Sequence, residues 1–145
     1  MYNGLLHAHS GFRWIALILI IATIFISFSS KNKPYSKLEK KLALFTLIIF
    51  HIQVLVGLYL YLSEHGRVIF FEGFMKDSMA RFYNIEHIFG MLIAVLLITI
   101  GYSKAKKKTE DNAKRKTIKT MFIIALLIVL ATIPWPFREL AGHWF

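Results

Sequence analysis

The residues of this chain best able to do chemistry are its six histidines, His7, His9, His51, His65, His87 and His143. A neutral imidazole can enter an apolar interior, where one ring nitrogen donates a hydrogen bond and the other keeps a lone pair that can bind a metal. Cysteine is absent, which excludes disulfides, thiolate metal sites and thioether attachment of a cofactor. Arg13, Gln53 and Glu86 also stand among or beside apolar runs. His9 and Arg13, at i and i+4, project from one helix face. Gln53 shares a face with Gly57 in the same way, whereas His51 is turned about 200° from Gln53. After His87, Gly90 at i+3 and Ala94 at i+7 form a small-residue stripe. The stripe reads either as a groove for the edge of a flat ligand or as a helix-packing surface.

The elements that position these residues are written in the charge and hydropathy pattern. The 145 residues carry 18 Lys+Arg against 8 Asp+Glu, a net charge of +10, and 57% of them are hydrophobic. That apolar share excludes a disordered chain and exceeds the roughly 45–50% of soluble domains. The charge is not spread. Residues 31–41 hold five lysines against Glu39, residues 104–119 hold seven lysines and Arg115 against Glu110 and Asp111, and the remainder is neutral. A nucleic-acid interface draws its basic residues from a soluble fold. Basic stretches alternating with apolar runs read instead as the cytoplasmic loops of a membrane protein.

Four runs have about the length of a bilayer-spanning helix: residues 12–29, 42–62, 82–102 and 120–137. The pattern predicts one all-α transmembrane domain over residues 1–145, an integral membrane four-helix bundle. The last run closes on Ile133-Pro134-Trp135-Pro136-Phe137, where two prolines end the helix. The first run lacks a basic leader and a small-residue cleavage site, and is read as retained. The positive-inside rule puts both lysine-rich loops in the cytoplasm and both termini outside. Trp14, Tyr59, Tyr61, Phe82, Tyr83, Trp135 and Trp144 then gather near the outer boundary as an aromatic belt. The loop 63–81, with Val68-Ile69-Phe70-Phe71, is apolar enough to lie at the interface or against a partner.

In that orientation His9 lies at the outer boundary, His87 roughly 7 Å inside it and His51 roughly 16 Å inside it, at 1.5 Å per residue. Two neutral imidazoles from different helices of a bundle can ligate a b-type haem iron from both faces. His87 is the candidate ligand, with His9 favoured over His51 as its counterpart. Arg13 is placed to receive a haem propionate. The same residues also admit plainer readings. Arg13 can snorkel to water or pair with Glu86, and a lone membrane histidine can simply hydrogen-bond across a helix interface. His7, His65 and His143 read as surface or loop residues.

As a set, His7-Ala8-His9-Ser10-Gly11-Phe12-Arg13-Trp14, His51-Ile52-Gln53 with Gly57, Arg81-Phe82 with Glu86-His87, and the closing Ile133-Pro134-Trp135-Pro136-Phe137-Arg138 span nearly the whole chain. The set resembles small bacterial four-helix inner-membrane proteins labelled cytochrome b or cytochrome b-like. The resemblance implies a multi-pass protein of the bacterial inner membrane that binds haem b. It would transfer electrons with a quinone or a respiratory membrane protein as partner. The alternatives are a haem-free accessory subunit of a larger membrane complex and, less favoured, a His-lined metal site on the outer face. No nucleotide-binding loop and no nucleophile with an adjacent base is present, so the chain is expected to act with a partner if it takes part in a reaction.

Overall fold

Each apolar run is helical over most of its length, and most helix ends fall short of their run or extend beyond it. The computed structural model describes residues 2–64 and 68–140. His65, Arg67, His143 and Trp144 lie outside them. The described residues form four long helices: α1, Tyr2–Ser29; α2, Lys37–Leu62; α3, Ser78–Lys107; and α4, Asp111–Thr132. No strand occurs among the described residues. α1, α2 and α3 are long and apolar enough to cross a membrane.

The helix ends depart from the expected spans everywhere but at Ser29 and Leu62, and three of the departures bear on the polar residues at one end of the bundle. α1 begins at Tyr2 and not near Phe12, so His7 and His9 are helical residues. α3 begins at Ser78, capped by the Asp77 carboxylate, which accepts the Ala80 N–H at 2.7 Å. α4 is helical only to Thr132, and Ile133 turns to extended backbone ahead of Pro134. The apolar part of α4, from Thr120 to Thr132, rises about 20 Å, shorter than the hydrocarbon layer.

α1 packs on α2 and α4, and α3 packs on α4 and α2, so α1 faces α3, and α2 faces α4, across the diagonals of the bundle. Large apolar side chains point outward along the helices. Phe25 is 71% exposed and Leu55 67%. Such a surface suits lipid, and helices surrounded by lipid pack closely through small residues and polar contacts. A Cβ on Gly90 would meet Thr132 Cγ2 at 2.4 Å, and one on Gly101 would meet Met121 Cβ at 2.7 Å. With Ala94 and Ala105, both buried, these glycines bring α3 hard against α4. The stripe below His87 is therefore a helix-packing surface and not a groove for a ligand.

The lysine-rich end holds a polar knot. Arg115 on α4 and Glu39 on α2 are 2% and 1% exposed, with Nε to Oε1 at 2.6 Å and Nη2 to Oε2 at 3.0 Å. The other guanidinium N–H groups donate to the carbonyls of Lys33 (2.8 Å) and Pro34 (3.1 Å) and to Asn112 Oδ1 (3.4 Å). All the donors of the fork are thus used. Glu39 also closes a capping box with Ser36 at the start of α2. Burial by itself raises the Glu39 carboxyl, but the hydrogen bonds from Arg115 and Ser36 outweigh it and hold the group below the usual carboxylate range. Asp111 is also held low, by Lys114 and by the Tyr35 N–H. Tyr35, beneath the Arg115 guanidinium, is pushed up to about 12, first by burial and then by Glu39.

Removing one member of such a pair strands the other and costs about 3–5 kcal/mol. Because the folded-state value of Glu39 is depressed, its contribution is complete above the unfolded value of 4.5 and fades as pH falls below it. The melting temperature of the detergent-solubilised protein is expected to hold from neutral pH to about 5 and then fall. Glu39→Gln is expected to melt lower at neutral pH and to show a shallower acid limb. A Glu39→Gln curve that overlays the wild type at pH 7 would mean the pair does not hold this end together.

Candidate functional site

At the opposite end, the way α4 stops decides what surrounds His87. The last carbonyls of a helix lack intrahelical donors, and here Pro134 and Pro136 remove two donors that could have reached them. Side chains take their place. Trp135 Nε1 donates to Leu130 O at 2.9 Å, and Arg138 Nη1 donates to Ala131 O at 2.7 Å. His87 Nδ1 donates to Thr132 O at 2.7 Å. That bond fixes the ring and its tautomer and leaves the Nε2 lone pair of the neutral imidazole unprotonated.

α3 prepares His87 in a second way. Residues Phe82–Glu86 form a π turn, and the His87 N–H bonds to Phe82 O, five residues back. One extra residue rotates the following face by about 100°, and such insertions are frequent at functional sites. The turn sets the Phe82 and Tyr83 rings 5.9 and 6.4 Å from the His87 ring. Asn84, also in the turn, is buried and clamps the loop, accepting from Ile69 N at 3.2 Å and donating to Ile69 O at 2.7 Å. The Asn84 backbone carbonyl accepts the Tyr61 hydroxyl at 3.1 Å.

Across the diagonal from α3, α1 presents His9. The His9 and His87 ring centres lie 6.3 Å apart with their planes at 83°. Gly57 on α2 leaves room for His9, since a Cβ there would sit 3.3 Å from His9 Cε1. Gln53, one turn before Gly57, donates from Nε2 to His9 O at 3.0 Å. A cavity of about 160 Å³ opens beside the pair, and Arg13, Gln53, Tyr83 and Met91 are among its lining residues. His9 Nδ1 and Gln53 Oε1 are buried, with no hydrogen-bond partner among the described residues.

The structure thus gathers His9, His87 and Arg13 and leaves His51 elsewhere. His51 is exposed on the side of the bundle, its Nδ1 donating to Leu47 O at 2.8 Å and its Nε2 3.5 Å from Thr99 Oγ1. His7 is exposed at the cavity rim. Glu86 pairs with Arg81, at 2.7 Å, so the carboxylate expected to meet Arg13 is taken up within its own helix. Arg13 lies over the Trp14 ring, 5.4 Å from its centre. Sequence reasoning missed the Thr132 carbonyl, although its signal was present: Pro136 is four residues on, where the intrahelical donor belongs. It also missed the π turn, for which the residues 82–86 carry no recognisable signature. Among the described residues no group of three or more His, Asp or Glu side chains is arranged to hold a metal ion.

No family model, no curated protein and no solved structure matches this chain.

The Gly57 contact generates a test of the site. Gly57→Val adds branches where a single Cβ already touches His9, so it should displace that ring and reshape the cavity. Overpacking of this kind costs about 1–3 kcal/mol. A loss of melting temperature and a changed Trp14 fluorescence are expected. A variant indistinguishable from wild type would place His9 away from α2.

Proposed function

We propose that the chain is a multi-pass protein of a bacterial inner membrane that carries one b-type haem between His9 and His87 and passes electrons to a quinone or a membrane-protein partner. The observation that carries the reading is the opposed histidine pair at the cavity, one ring anchored through Nδ1 to Thr132 O. His9 and His87, with ring centres 6.3 Å apart at the cavity, would supply two imidazoles from different helices to the iron.

His87 would be the better-oriented ligand, since its bond to Thr132 O raises the basicity of the ring. Arg13, on the same cavity wall, would receive a propionate. Phe82 and Tyr83 shield the His87 ring from water. A haem so held supplies one-electron transfer, and the chain's own residues supply ligation, orientation and a dry surround.

The membrane placement adds the orientation argued from charge, with both lysine-rich loops inside and both termini and the loop 68–77 outside. The three long apolar helices and their outward apolar side chains support it. α4, with the extended segment after it, makes the fourth passage.

A second reading is favoured by one quantity. The cavity, about 160 Å³, matches a single aromatic ring, so a macrocycle would need α1 and α3 to part there. In that reading the chain is a haem-free subunit whose histidine pair and Gln53 hold a small ring, such as a quinone head, or brace a larger complex.

A visible spectrum of the protein purified in mild detergent, oxidised and then dithionite-reduced, separates the two. Sharp reduced bands of low-spin haem are expected. His87→Ala and His9→Ala should abolish them, and His51→Ala should leave them unchanged. Bands that survive His87→Ala unaltered, or a featureless wild-type spectrum from haem-replete cells, would overturn the haem reading. Orientation is tested separately. Cysteine placed by Glu72→Cys should react with a membrane-impermeant thiol reagent in intact cells, and Lys107→Cys should be protected; the reverse pattern inverts the topology.

A further inference from the structure

Below the Glu39–Arg115 knot lies a second cavity, of about 340 Å³, lined by Ser27, Lys31, Asn112, Arg115, Lys116 and Lys119. Its charge is unbalanced. Arg115 is neutralised by Glu39, and Asp111, on the same helix turn as Asn112, is held by Lys114 at 2.8 Å. Lys31, Lys116 and Lys119 have no carboxylate partner among the described residues. Three ammonium groups around one cavity repel each other, and an anion between them relieves that repulsion more than solvent and salt do.

The position of the cavity says which anion. Ser27 is in the last turn of α1, and Lys119 immediately precedes the apolar run of α4. The Lys119 ammonium stands 4.4 Å over the Phe28 ring, at the join between charged and apolar surface. On the same face of α1 as Phe28 come Phe25 and Ile21, at i−3 and i−7, and on the same face of α4 as Lys116, which also lines the cavity, comes Leu127, at i+11. All three are more than half exposed. The cavity therefore sits at the head of two outward apolar strips, with cations above and acyl-compatible surface below.

We propose that this cavity binds the phosphate headgroup of an anionic phospholipid through Lys31, Lys116 and Lys119, with the acyl chains along Phe25, Ile21 and Leu127. The site rests on the bilayer placement proposed above and is independent of haem. Each basic residue close to an anionic headgroup contributes roughly a fivefold gain in affinity, so three together select phosphatidylglycerol over phosphatidylcholine. A soluble phosphate shares the headgroup chemistry but makes no use of the apolar strips.

The full chain is reconstituted in vesicles of phosphatidylcholine with a minority of phosphatidylglycerol, and the lipids retained after detergent extraction are counted by native mass spectrometry. The wild type is expected to retain phosphatidylglycerol over phosphatidylcholine by at least about tenfold. The triple variant Lys31→Gln, Lys116→Gln, Lys119→Gln is expected to lose that preference. The control triple Lys37→Gln, Lys40→Gln, Lys104→Gln, with the same change in charge outside the cavity, is expected to keep it. Equal retention by wild type and cavity variant overturns the site, and so does equal loss in the control, which would assign the effect to diffuse charge. Inorganic phosphate that alone raises the melting temperature of delipidated protein, without any lipid preference, would assign the cavity to a soluble ion. Flotation with vesicles of either composition reads membrane insertion itself, so failure of that placement is seen apart from failure of the site.

Discussion

The buried Arg115–Glu39 pair spans a diagonal of the bundle, from α4 to the start of α2, and the rest of the structure is arranged around it. Hydrophobic burial orders helices weakly where the surround is lipid, because the tails are as apolar as the side chains. A desolvated ion pair orders them strongly, provided every donor is met, since an unmet one adds its full desolvation cost. Here the guanidinium also binds the carbonyls of Lys33 and Pro34, so the connection between α1 and α2 is tied to α4 by the same group. Asn32 and Asn112 add a second tie, 3.0 Å from Nδ2 to Oδ1. With one end tied, the close approach of α3 to α4 at Gly101 and Gly90 carries the register toward the other.

At that other end the diagonal α1–α3 is bridged by imidazoles and not by charge. The two knots differ in a telling way. The lysine-rich knot is saturated: carboxylate and guanidinium find their partners inside the chain. At the histidine end His9 Nδ1 and Gln53 Oε1 are buried and unmet among the described residues, beside a cavity. Between them the core is apolar apart from a few hydroxyls, Thr23 and Thr46 meeting at 2.9 Å between α1 and α2.

Much of this architecture can be read in the residues. The four apolar runs and the paired lysine stretches stand out because hydropathy and charge are local properties, summed over neighbours in the chain. Pro134 and Pro136 announce the end of α4 for the same reason. The ends of α1 and α3 are less legible, because the polar residues there, such as His9 and Glu86, interrupt hydropathy without interrupting the helix. Arg115 is the clearest failure. Among seven lysines in residues 104–119 it counts as one more loop cation, and only the fold shows that it is the one cation of that stretch turned fully inward. Its chemistry could have raised the question, since the planar fork is the preferred group for a buried bidentate pair. For the site, the i, i+4 spacing of His9 and Arg13 placed both on one face, and the cavity has both in its wall. Gly90 and Ala94 were ambiguous because a small residue invites a neighbouring helix as readily as a ligand.

The unmet atoms at the histidine end bear on function through their cost. A buried donor or acceptor without a partner costs about 1–3 kcal/mol, and neither His9 Nδ1 nor Gln53 Oε1 is needed to hold the bundle, which the Arg115 knot and the glycine contacts already register. The cavity lies beside both atoms, so a polar group entering it could meet them. His87 has the opposite character: its Nδ1 is satisfied by a carbonyl that two prolines help leave open. One imidazole is thus fixed through Nδ1 by a carbonyl, and the other has an Nδ1 unmet among the described residues, an asymmetry that suits the ligand proposed between α1 and α3.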